Sequence, residues 1–313
     1  MPLVVLMLAL LSMSACSKDR EEGTQGKTEN KTDSKPAGTA ALPKMGGRTF
    51  SSDLPLTVII IREAGGLEER IGYTPSARPL DIPRCASWGV SAFTRVDMKA
   101  LAREITAKKI PHLRIRHWVA DGDLAHLQGL TGLRGLDLWG TQITDAGLSH
   151  LKGLTGLREL ALERTKITDA GLTHFNGLTG LRELNLAETK ITDAGLAHLK
   201  GLTGLRVLDL GLTEIRSAGL VYLKGLTGLR ELNLWHTKIT DAGLAHLKGL
   251  TGLRELNLRR TKITDAGLAN LKGLTGLRKL FLRDTKITDA GLAHLKGLTG
   301  LRELNLWATK ITD

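Results

Sequence analysis

The chain has 313 residues, a formal net charge of +12 and a hydrophobic content of 42%, enough for a sizeable core or one extended solenoid. Aromatics make up only 4%, so the core must be aliphatic, and the two cysteines, Cys16 and Cys85, allow at most one disulfide and no cysteine-rich metal site. With 36 glycines and 8 prolines, the composition excludes collagen-like, proline-rich and disulfide-scaffold classes.

Residues 3–11 are an apolar run, too short to span a bilayer with comfort but suited to the centre of an export signal. Ser14, Ala15 and Cys16 follow, and then a polar stretch. Small residues before a cysteine in this setting resemble a bacterial lipoprotein signal. Met13 and the lack of a Lys or Arg ahead of the run depart from that pattern. The resemblance implies cleavage before Cys16, lipidation of Cys16 and anchoring of the exported chain to the bacterial cell envelope, with plain secretion as the alternative. Residues 1–15 are then a signal peptide. Residues 16–49 are expected to be a disordered tether, because their Lys, Glu, Asp, Thr, Gly and Ser cannot repay the entropy of ordering.

Residues 50–112 are expected to form an N-terminal cap on the remainder of the chain, with a separate small domain as the alternative. Thr57, Val58, Ile59, Ile60 and Ile61 form a strong strand signal that Gly65 and Gly66 end. Pro75, Pro79 and Pro83 mark residues 73–87 as loop. Asp97 is placed to cap a helix over residues 98–108 whose apolar stripe is Met98, Leu101, Ala102 and Ile105.

From Leu133 the chain repeats every 24 residues, with units starting at Leu133, Leu157, Leu181, Leu205, Leu229, Leu253, Leu277 and Leu301. A shorter variant is read from Leu113, so the repeat domain is taken as residues 113–313. Leu stands at positions 1, 4 and 6, and Ile or Leu at 11, 16, 19 and 22, with Phe175 at 19 in the second unit. Positions 4 and 6 alternate with polar neighbours and so face one side of a short strand. No unit can bury that face alone, whereas stacking buries it against both neighbours. Thr recurs at position 9, where a stacked column of hydroxyls can satisfy turn backbone between units. Thr and Asp at positions 12 and 13 are suited to cap a helix, a cap expected to be looser in the fourth unit, which carries Ser217.

This pattern resembles bacterial members of the leucine-rich repeat family, and the Ile-Thr-Asp-Ala-Gly-Leu segment is similar to the subclass related to cysteine-containing repeats, without its usual cysteine. The resemblance implies an α/β solenoid, a horseshoe with a parallel β-sheet on the concave face and short helices on the convex face. It also implies a non-catalytic binding scaffold.

On such a sheet, positions 3, 5 and 7 face outward and position 8 lies at the edge. Most positions barely vary from unit to unit, yet 7 and 8 scatter: Trp139, Glu163, Trp235, Arg259, Arg283 and Trp307 at 7, and Arg164, Glu188, His236 and Arg260 at 8. With Glu231 and Asn233 beside Trp235, and Phe281 at position 5, these residues are the candidate binding face for a protein or a polysaccharide. Lys279, Arg259, Arg260 and Arg283 make part of it basic.

Other readings are weaker. The positive charge comes from positions 2, 10 and 20, which surround each coil and form no groove, so nucleic acid is disfavoured. The histidines at position 18 (His126, His150, His174, His198, His246 and His294) form a row along the convex side, with no convergence on one metal ion. No cofactor motif and no catalytic set is recognisable. The last unit stops at Asp313, and an open end there would expose Leu304, Leu306 and Ile311, making a self-associating or spacer solenoid the alternative function.

Overall fold

The computed structural model describes residues 48–61, 69–76, 78–82 and 87–312. The signal, Cys16, nearly all of the expected tether, Gly65, Gly66 and Cys85 lie outside the described residues.

Structure begins inside the expected tether. Strand β1 (Arg48–Phe50) is followed by β2 (Thr57–Ile61), β3 (Glu69–Tyr73) and β4 (Leu80–Ile82). The last of these corrects the loop expected across residues 73–87: between Pro79 and Pro83 the chain pairs antiparallel with β1, on an edge where missing donors do no harm. Next come β5 (Ser87–Ala92), α1 (Met98–Lys108) and β6 (His112–Ile115). Asp97 caps α1 as its position suggested, accepting from the backbone N–H of Lys99 and Ala100 at 2.8 and 3.1 Å, and Lys109 ends the helix at φ 52°. Met98, Leu101 and Ile105 bury its apolar stripe.

Beyond β6 the coils contribute one short strand each: β7 (Gly135–Asp137), β8 (Glu159–Ala161), β9 (Glu183–Asn185), β10 (Val207–Asp209), β11 (Glu231–Asn233), β12 (Glu255–Asn257), β13 (Lys279–Phe281) and β14 (Glu303–Asn305). All pair in parallel, each residue facing its equivalent in the next unit, as Leu184 faces Leu208 and Leu208 faces Leu232. The sheet runs on through β6 and β5 and closes with β2 and β3, which are antiparallel, giving 12 strands. One apolar core follows it from Phe50 to Leu298.

The first coil is not where the leucine spacing put it. Leu113 stands opposite Leu136, which is position 4, so this coil starts at Ile110 and is one residue shorter than the rest. The repeat array therefore reaches further towards the N-terminus than Leu113.

Within an interior coil the aliphatic positions are sealed. Leu181, Leu184, Leu186, Ile191, Leu196, Leu199 and Leu202 are each at most 1% exposed. Each is worth roughly 1.5–3 kcal/mol on burial, largely offset by backbone ordering. Polar groups then fix the turns. The position-9 hydroxyls of Thr141, Thr165, Thr189 and Thr213 donate to the position-6 carbonyl of the same coil at 2.5–2.8 Å, so this column serves its own turn instead of linking units. Links between units come from position 13: Asp145 accepts from the backbone N–H and the hydroxyl of Thr168 in the next coil at 2.7 and 2.6 Å, and Asp169 does the same for Thr192. The glycine at position 15 packs on that carboxylate. A Cβ on Gly195 would lie 2.3 Å from Oδ1 of Asp169.

The fourth coil keeps this ladder in altered form, with Asp193 accepting from the Arg216 N–H at 2.7 Å and Ser217 Oγ from the Thr240 N–H at 3.0 Å. Arg216 and Ser217 replace Thr and Asp, and Arg216 gives no side-chain cap. Its return segment is 3-10 helix throughout, Ser217–Leu223, where neighbouring coils begin with an α-turn such as Asp193–Leu196 or Asp241–Leu244.

Candidate binding face

Position 8 has a backbone feature that its side chains do not advertise. Arg164, Glu188, Leu212, His236, Arg260, Asp284 and Ala308 all sit near φ +55°, and Gly140 at φ +67°. This left-handed conformation costs an L-residue roughly 1–2 kcal/mol. It persists because neighbouring groups over-determine it: the Glu188 N–H donates to the Gly211 carbonyl of the next coil at 2.9 Å, while Thr189 holds the carbonyl two residues upstream. Each strand thus ends in a sharp turn, with positions 7 and 8 on its rim.

None of the position-7 tryptophans belongs to the core. Trp139 and Trp235 are half-buried and Trp307 is 63% exposed. Trp139 lies between the guanidinium groups of Arg116 and Arg164, 5.3 and 5.5 Å from its ring centre, with the edge of His117 at 5.1 Å. Arg283 covers Trp307 at 3.9 Å. Trp235 meets His236 edge-on and lies over Gly211, where a Cβ would come within 2.3 Å of the indole. Such cation–ring contacts contribute about 0.5–1 kcal/mol at exposed sites and hold the indoles in place.

The charged members are cross-linked along the rim. Arg164 pairs with Glu188 at 3.0 Å, and Arg260 and Arg283 both reach Asp284 at 3.2 Å. Glu163 accepts from the Asn185 amide at 3.1 Å. Arg259, half-buried, has its guanidinium pushed below its ordinary value by burial and by Arg283 and Arg260. Asn233 has a different role from the one its position suggested. Its Oδ1 accepts from the Trp235 N–H at 3.1 Å and its Nδ2 donates to Asp209 at 3.0 Å, so it fixes the strand end and is not free to meet a partner. Asn185, Asp209, Asn257 and Asn305 accept from position 7 in the same way. Phe281 and Glu231 lie half-buried on the sheet surface.

Of the concave floor the sequence reading singled out only Glu231 and Lys279. Position 3 carries Glu159, Glu183, Val207, Glu231, Glu255, Lys279 and Glu303 on adjacent strands. Burial raises the carboxyl of Glu159 to about 7, helped by Glu183, and shifts Glu183 and Glu231 in the same direction. Asp209 is raised to about 6 by burial. The N-terminal half of this floor forms a hollow of about 310 Å³ lined by His112, Arg114, Glu159, Glu183, Val207 and Asp209. The positive charge lies elsewhere, and part of it is structural: Arg134, Arg158 and Arg182 donate to the carbonyls of Gly156, Gly180 and Gly204.

One constellation there imitates a hydrolase. Ser87 Oγ is 2.7 Å from His112 Nε2, and His112 Nδ1 is 3.6 Å from Glu159. Its electrostatics are wrong for the chemistry. Burial holds His112 at about 4, too low for an effective general base near neutrality, and the Glu159 contact is too long for the hydrogen bond that would orient the ring. The imidazole fits because Gly135 lies under it, where a Cβ would be 2.2 Å from Nδ1. Among the described residues no group of three or more His, Cys, Asp or Glu is placed to hold a metal ion.

A curved parallel sheet with a sealed aliphatic interior and an outward face of variable residues defines a leucine-rich repeat solenoid. The leucine rich repeat profile matches residues 131–191, 155–215, 179–239, 227–287 and 251–311, and the chain belongs to this family. Among solved structures, internalin C2 of Listeria monocytogenes is 31% identical with a TM-score of 0.51, covering 63% of this chain and 77% of that one. The internalin InlF from the same organism is 21% identical over 72% of this chain and 82% of that one, with a TM-score of 0.41. A TLR13–ssRNA13 complex is 20% identical with a TM-score of 0.51, covers 70% of this chain and 31% of that one, and attests the fold alone. No curated protein matches the chain. The chain is a bacterial leucine-rich repeat protein related to the internalin type, a scaffold for protein–protein interaction.

Proposed function

We propose that this scaffold is exported, held at the cell envelope through lipidated Cys16, and captures a protein on the rim of its concave face. Trp139, Trp235 and Trp307 are the anchors, with Glu163, Arg164, Glu188, His236, Arg259, Arg260, Phe281 and Arg283 around them. The observation that carries this reading is the column of three indoles outside the core, in a chain with only 4% aromatics. Trp on an exposed face is unusual and is enriched among binding hot spots. Residues 48–109 act as the N-terminal cap, their antiparallel strands covering the sheet edge. No helix among the described residues is long and apolar enough to cross a membrane.

The test is capture from native envelope extract. A Trp139→Ala/Trp235→Ala variant should keep the wild-type melting temperature within a few degrees and lose about 30-fold or more in affinity, as two modest hot spots would. Capture that survives this change removes the rim from consideration. Protease and glycosidase treatment of the extract separates a protein from a polysaccharide ligand. Cys16→Ser should move the chain from the membrane pellet to the soluble fraction. Sedimentation of the purified chain addresses the self-associating alternative.

A further inference from the structure

We propose that the floor of the concave face binds an extended peptide carrying lysine or arginine side chains, with two cations spaced four residues apart. This deepens the reading that the concave side binds protein, and rests on it.

Charge complementarity carries the inference. The chain has a net charge of +12, yet its concave floor is a row of carboxylates. Internal cations mark the two ends of one stretch of it, beside the row on β7 and within the row on β13. Arg114 and Arg116 close on Asp137 at 2.9 and 2.5 Å, and Lys279 Nζ lies 3.1 Å from Glu255. Between these ends, Glu159, Glu183 and Glu231 have no Lys or Arg partner among the described ion pairs. His112, held neutral by burial, lies 3.6 Å from Glu159. Such half-buried carboxylates repel one another and lose hydration, so an incoming cation is worth more there than on an open surface. The internal Lys279–Glu255 pair already shows an ammonium accepted by this row.

Spacing then fixes the ligand. Neighbouring strands are about 4.8 Å apart, while an extended peptide advances about 6.6 Å for every two residues on one face. A cation seated between Glu159 and Glu183, in the 310 Å³ hollow, is about 12 Å from Glu231. Four extended residues span about 13 Å. The side chain midway passes Val207, the apolar interruption in the row, so the matching segment is basic, any, apolar, any, basic. The peptide lies across the strands along the solenoid, and its charged heads point down to the floor.

Fluorescence anisotropy with a labelled synthetic peptide, Gly-Ser-Lys-Ser-Leu-Ser-Lys-Ser-Gly, tests this at low salt. The expected result is saturable binding that weakens at least tenfold when both lysines are acetylated, and at least tenfold in a Glu159→Gln/Glu183→Gln/Glu231→Gln variant. Val207→Lys, which builds an ammonium into the row as Lys279 does, should abolish binding and serves if the triple variant does not fold. Equal binding of the acetylated peptide, or binding unchanged by both floor variants, overturns the proposal. Capture from envelope extract that persists while the peptide fails to bind would sink the floor proposal and leave the rim reading standing.

Discussion

The repeat array and the N-terminal unit are built on one sheet and one core, but they stabilise themselves in opposite ways. In the array every device recurs: the αL turn at position 8, the threonine hydroxyl on its own turn, the Asp-to-Thr link and the glycine that lets the carboxylate approach. In the N-terminal unit each device occurs once, whether the Asp97 cap, the Phe50–Trp88 edge-on pair or the eleven-residue α1. Redundancy makes a single coil expendable. Uniqueness concentrates the load on a few residues.

Single truncations should break that comparison most visibly on the N-terminal side. Leu101 is fully buried in α1, and Leu101→Ala should cost about 3 kcal/mol and lower the midpoint of urea unfolding accordingly. The acid response sharpens it. His112 is held at about 4 against an ordinary 6.5, so the unfolded chain takes up its proton first as pH falls. Its contribution is intact above pH 6.5 and is lost progressively down to about 4, by up to about 3 kcal/mol. Glu159 works in the opposite direction. Its carboxyl is raised from 4.5 to about 7, so its ionisation disfavours the fold as pH rises through that window. The two slopes oppose each other between pH 4.5 and 6.5, so these groups together should leave the melting temperature nearly level there, and His112→Gln should make it fall as pH rises through that window.

Within the array the effects should be smaller and specific to the ladder. Gly195→Ala drives a Cβ into Asp169 and should cost about 2 kcal/mol, whereas Gly201→Ala, with nothing within 4 Å, should be nearly neutral by thermal melting. The smallest effect is a gain. Arg216→Thr/Ser217→Asp restores the hydroxyl and the carboxylate of the other rungs, and should add about 1 kcal/mol and turn the 3-10 segment Ser217–Leu223 into an α-turn like its neighbours.

The same contrast explains what could be read from the residues. A period of 24 with Leu at positions 1, 4 and 6 announces the array because the same burial problem is solved repeatedly. Thr57 to Ile61 and the Asp97-capped helix were legible because β-branching and capping are local signals. Strand β4 was not, since Leu80 to Ile82 sit between prolines and their pairing with β1 is a long-range fact. Leu113-Arg114 imitates the Leu-Arg that opens each unit, and only its register against Leu136 reveals position 4. The αL turn was hard to see because Arg, Glu, Leu and Ala are not residues that favour positive φ, and only Gly140, His236 and Asp284 hinted at it. The carboxylate floor was missed for another reason. Variation between units was the criterion for a binding face, and position 3 hardly varies.

The most direct test of a concave recognition face is site-specific photo-crosslinking in envelope extract. One photoreactive residue at Arg259 on the rim is compared with one at Ala245 on the convex side. The account expects a discrete protein adduct from position 259 and none from position 245. Adducts only from position 245, or the same adducts from both, would contradict it.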